Sequence, residues 1–161
     1  MRKFYCSLLI IVLALSACQQ DKTNWKPLDL LAYGVPMTIE VPIDSPQIKT
    51  SNGLLGEKEV IVKAGNGFDL LITYQAAGTS DMTQLKATQI DYVKDIPNFS
   101  KIIEEQPDGF IYETVVDSSN VFYGFRYIRL QGDNQYVFQS GMIGAFTLDE
   151  AKQMYQAVQA N

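Results

Sequence analysis

Short runs in which apolar and polar residues alternate with period two dominate the middle of the chain, and two longer stretches repeat apolar residues at helical spacing. In "PMTIEVP" Ile39 and Val41 alternate against Thr38 and Glu40, and Pro36 and Pro42 bound the run as they bound an edge strand. "KEVIVKA" and "FDLLITY" flank Gly65-Asn66-Gly67, and Asn-Gly between β-branched runs predicts a hairpin because these residues accept the positive φ of a tight turn. After Ser80 and Asp81, either of which can cap a helix, Met82, Leu85, Tyr92 and Val93 form one stripe, which predicts a helix over 82–94 with Pro97 beyond its end. Four strands are then expected in "FSKIIEEQ", "FIYETVVD", "VFYGFRYIRL" and "QYVFQSGM". Their links, Pro107-Asp108-Gly109, Ser118-Ser119-Asn120 and Gln131-Gly132-Asp133-Asn134, have the composition and length of hairpin turns. Thr147-Leu148-Asp149-Glu150 fits a capping box, and Leu148, Ala151, Met154, Tyr155 and Val158 continue it as an apolar helical stripe. The expected fold is therefore α+β: an antiparallel sheet of about six strands, the last four a meander, flanked by two amphipathic helices.

The first residues change the picture of where such a domain works. Arg2 and Lys3 precede an apolar run from Leu8 to Leu15, followed by Ser16 and Ala17, the build of an export signal. That run is too short for a stable membrane-spanning helix. Leu15-Ser16-Ala17-Cys18 resembles the bacterial lipobox, in which the cysteine thiol receives a diacylglycerol thioether and becomes the first residue of the mature protein. The alternative is an ordinary secretory signal that contains a cysteine by chance. On the lipobox reading, 1–17 is a signal peptide, 18–27 a lipidated tether and 28–161 a single α+β domain. Several acyl chains on Cys18 anchor stably where one chain is marginal. Trp25 stands out in the polar tether and is expected to pack on the domain. Gln19 lacks the aspartate that retains many lipoproteins at the inner membrane, so the outer membrane is expected, facing periplasm or exterior; Asp21-Lys22 hints at surface export.

Cysteine and histidine usage then narrows the chemistry. Cys6 leaves with the signal, Cys18 is consumed by lipid, and the chain has no histidine. A Ser-His-Asp or Cys-His relay, a histidine base and a Cys/His zinc site are thereby excluded, and no cofactor is implied. The mature portion keeps 11 basic and 18 acidic side chains, a formal charge of −7. So acidic a surface argues against nucleic acid and against anionic lipid as partners.

Three local patterns carry no site. Gly65-Asn66-Gly67 lacks the third glycine of a phosphate loop, and Asn98-Phe99-Ser100 is a glycosylation sequon without meaning in a bacterial lipoprotein. Glu104 and Glu105, neighbours on a strand, point to opposite faces and cannot act together as acid and base. One constellation remains. If Asp117 pairs with Val121 and Leu130 with Gln135, Arg126 sits between Tyr112 and Gln139, with Glu104 continuing the row. Gly124 and Gly141 then leave room above the backbone on that face, while Ile111, Val115, Tyr123, Phe125, Tyr127, Phe138 and Met142 form a core face. Such a row can floor a ligand groove. The reading preferred from the sequence is a cross-strand polar ladder in which Arg126 pairs with Glu104 and stacks on Tyr112.

The element order over residues 35 to 160, an early hairpin, a helix, a meander rich in Tyr and Phe and a closing amphipathic helix, resembles the PsbP-like fold. That resemblance implies a central antiparallel sheet between helices. Members of the fold include extrinsic photosystem subunits, a Ran-binding nuclear import factor and small bacterial lipoproteins, and it implies action through protein partners. The expectation is thus a non-enzymatic lipoprotein domain, bound to the membrane through Cys18, that binds a protein or assists envelope assembly. The alternative is a small-ligand binder using Tyr112, Arg126, Gln139 and Glu104, favoured if a deep pocket lies over Arg126, with a carboxylate hydrolase in third place.

Overall fold

The computed structural model describes residues 25–43, 45–53, 56–65, 67–142 and 144–159. Cys6, Cys18 and the rest of the expected signal and lipobox lie outside them. The described elements are β1 (Trp25–Asp29), β2 (Thr38–Pro42), β3 (Gln47–Asn52), β4 (Lys58–Ala64), β5 (Phe68–Ala76), α1 (Met82–Lys94), β6 (Phe99–Gln106), β7 (Gly109–Asp117), β8 (Asn120–Gln131), β9 (Asn134–Ser140) and α2 (Leu148–Val158). The fold is α+β, with a seven-stranded antiparallel sheet in the order β3-β4-β5-β9-β8-β7-β6 and a separate pair, β1-β2.

Nine strands are described where about six were expected: the seven alternating runs all form strands, and β1 and β3, which carry little apolar signal, add two more. β3, "QIKTSN", is an edge strand that turns only Ile48 toward the core. β1, "WKPLD", is short and contains Pro27, tolerable because a two-stranded sheet consists only of edges. β1 begins at Trp25, so residues 25–27, expected in the tether, belong to the folded domain. The Trp25 ring packs edge-on against Phe68 with centroids 5.6 Å apart.

The β4–β5 hairpin forms where Asn-Gly placed it, with Gly65 and Gly67 at φ 55° and 87°, a region open to glycine at no steric cost. Inward residues of β4 and β5 (Val60, Val62, Leu70, Ile72) meet Phe125, Phe138 and the α2 stripe Ala151, Met154, Tyr155 and Val158 in the main core. β1-β2 closes this core through Ile39 and Val41. Met142, expected on this face, is 84% exposed because β9 ends at Ser140 and the chain leaves the sheet there. The capping box of α2 is present: Glu150 N–H donates to Thr147 Oγ1 at 3.3 Å, and Thr147 N–H donates to Glu150 Oε2 at 2.8 Å.

α1 lies on the opposite face of the sheet. Its cap is Asp81, whose Oδ1 accepts from Thr83 N–H at 2.9 Å and Gln84 N–H at 3.3 Å. Leu85 packs with Ile128 and Val137 in a small second cluster. Tyr92, expected in the buried stripe, is 61% exposed; it borders an open groove with Gln89 and Gln135 where the sheet offers no packed surface. α1 thus covers only part of its face, and the uncovered part holds the candidate site.

Candidate functional site

Strand register decides which polar side chains can meet. Leu130 pairs with Gln135 as expected, which places Arg126 directly opposite Gln139. On the other side, the tight turn pairs Asp117 with Asn120 instead of Val121, and an irregularity between Val115 and Asp117 adds a second residue to the shift, so Arg126 faces Phe110 and Tyr112 faces Gly124. The slip from the expected pairing amounts to two residues, and because side chains alternate with period two, Tyr112 stays on Arg126's face.

Glu104 does not join this row. β6 carries irregularities between Phe99 and Lys101 and between Ile102 and Glu104; Ile102 sits opposite Tyr112, yet Glu104 sits opposite Ile111. The extra residue turns Glu104 to the α2 face, where its Oε2 lies 3.7 Å from Lys152 Nζ of α2 and its Oε1 accepts from Gln106 Nε2 at 3.1 Å. Glu105 points the other way and meets Lys86 of α1 at 2.9 Å. The ladder in which Arg126 pairs with Glu104 is therefore corrected: a bulge, invisible in the apolar pattern of "FSKIIEEQ", separates the two groups by the thickness of the sheet.

What lies over Arg126 is a cleft of about 380 Å³, bordered by Tyr112, Thr114, Gly124, Arg126, Gln139 and Ser140 on the sheet, with Ile96, Phe122 and Met142 at its apolar side. Its volume is at the lower end of small-molecule sites, roughly 300–1,000 Å³. The expected glycine gaps are partly filled. A Cβ on Gly124 would meet the Tyr112 ring end at 2.5 Å, and one on Gly141 would clash with the Asp69 carboxylate. Gly124 therefore lets Tyr112 lie across the floor, and Gly141 lets Asp69 lean over it from β5.

The electrostatics of the cleft are unusual for a packed sheet face. Arg126 Nε is sealed from solvent with no hydrogen-bond partner. Among the described residues Arg126 has no ion pair, a property it shares with Arg129 and several surface lysines. Burial lowers the Arg126 pKa, and the nearby Tyr112 hydroxyl opposes that shift. A guanidinium still keeps its charge. Gln139 and Ser140 are the buried polar side chains among the described residues, 7% and 9% exposed, and both border the cleft. Asp69 Oδ1 is likewise buried without a partner, while Oδ2 lies 2.6 Å from Lys63 Nζ.

On the α2 face, burial raises the Tyr155 pKa, helped by Asp108 and Glu104, so this phenol stays protonated and does not act as a base at neutral pH. Among the described residues no group of three or more His, Cys, Asp or Glu side chains is arranged to hold a metal ion.

Of the residues singled out from sequence, the structure brings Tyr112, Arg126 and Gln139 together and removes Glu104. Ser140, Thr114 and Asp69 were missed. Asp69 gave no signal, since only the β5–β9 pairing, set by Leu70 opposite Ser140, brings it beside Gly141. Comparison with family models, curated proteins and solved structures finds no match to this chain.

Proposed function

We propose that this chain is a lipid-anchored envelope protein, held through Cys18 at the outer membrane, whose domain binds a small anionic ligand in the cleft over Arg126 and carries out no catalysis. The observation that carries this reading is the cation itself: a guanidinium with a sealed, partnerless Nε and no ion pair among the described residues, beside the buried Gln139 and Ser140. An unpaired, partly buried cation costs stability, and the cost is offset when an anion enters. Sequence order and the antiparallel sheet between α1 and α2 support the PsbP-like reading of the fold. Binding of a protein partner is the second reading; among the described residues the exposed large apolar side chains are Leu31, Ile43, Tyr92, Val116 and Met142.

Two measurements test the two halves. Metabolic labelling with a clickable fatty acid is expected to mark the wild type and not Cys18→Ser, which loses membrane fractionation; label in the serine variant, or none in the wild type, rejects the anchor. A ligand-observed NMR screen of a mixed library against the full chain is expected to return anions whose binding disappears in Arg126→Met. Hits indifferent to charge, or unaffected by that substitution, reject the anion site.

A further inference from the structure

We infer that the ligand is a small amphipathic monocarboxylate, its acid head held by Arg126 and the Gln139 amide and its apolar body lying against Ile96, Phe122 and Met142. This rests on the anion reading of the cleft and gives it a chemical class.

Charge selects the head group. Arg126 is the sole cation among the residues bordering the cleft. A carboxylate is matched by one guanidinium, whose planar fork suits its two oxygens. A phosphate dianion leaves a second negative charge in a partly buried site, and its cost is not recovered from neutral amides and hydroxyls. The acidic domain as a whole opposes a dianion more strongly than a monoanion.

Shape and lining select the body. Beyond the polar floor the cleft is bordered by Ile96, Phe122 and Met142. Met142 is 84% exposed, which leaves a flexible, polarizable thioether at the mouth with apolar surface uncovered. A short alkyl or aromatic chain covers that surface. A small hydrophilic acid such as acetate does not, and gains nothing from it.

The test uses the full chain labelled with 13C-methyl methionine, reading Met142 at the cleft mouth and Met154, 1% exposed in the core, as a control. Hexanoate, hexanol and hexyl phosphate share one apolar body and differ in head group. Hexanoate is expected to shift the Met142 methyl saturably, about tenfold more tightly than either analogue, and to leave Met154 in place. Arg126→Met should reduce hexanoate to the level of hexanol. Arg126→Lys keeps the charge and loses the fork, so the hexanoate preference should fall severalfold; an undiminished preference overturns the two-point grip. Hexyl phosphate binding as tightly as hexanoate overturns the carboxylate class and leaves the anion site standing. Hexanol binding as tightly as hexanoate, or no shift with any probe, overturns the anion site as well.

Discussion

Arg126 and Glu104 sit on opposite faces of the sheet, so their substitutions are expected to act independently. Arg126→Met strands no carboxylate and removes the desolvation cost of an unpaired guanidinium, and stability should stay level or rise. Glu104→Gln weakens a contact with Lys152 in which both side chains are 41% exposed, a loss of at most about 1 kcal/mol. Denaturant melts of the two single variants and the double variant should therefore add within about 0.5 kcal/mol. Strong coupling between them would mean that β6 does not bulge between Ile102 and Glu104.

At the scale of elements, each helix begins at an identifiable cap. Thr147→Ala removes the acceptor for Glu150 N–H and should cost about 1 kcal/mol, as should Asp81→Ala, which leaves two amides of α1 without their acceptor. Chemical denaturation checks both, and no change at Thr147 would place the start of α2 elsewhere. The elements most legible in the sequence are those with strong local chemistry: the caps, the Asn-Gly hairpin, and the meander with its turn residues. β3 was illegible because an edge strand with one inward residue offers no alternation to detect. The candidate row was legible as far as parity goes. Tyr112, Arg126 and Gln139 share a face under any even slip of register, but a single bulge sufficed to move Glu104, and bulges have no apolar signature.

For the molecule as a whole, Trp25 fastens the first described strand to the core. Half-buried against Phe68, it ties β1 to the β4–β5 hairpin, and Trp25→Ala should lower stability by about 2 kcal/mol. Thermal or denaturant unfolding measures this. An unchanged midpoint together with weaker membrane partition would assign Trp25 to the lipid interface instead.

β9 stands between β5 and β8 in the sheet, although in the chain it comes last of the strands. The ladders β3-β4-β5 and β6-β7-β8 are each built from near neighbours, whereas the seam that joins them pairs Leu70 with Ser140. Until β9 has been synthesised and docked, β5 and β8 each expose an open edge, and the apolar residues that α2 will cover face solvent. The domain can be completed only when nearly all of it is present. Premature closure of the first half is prevented by the absence of its central strand, and the interval before β9 arrives is when unpaired edges and uncovered apolar faces are most open to misassembly.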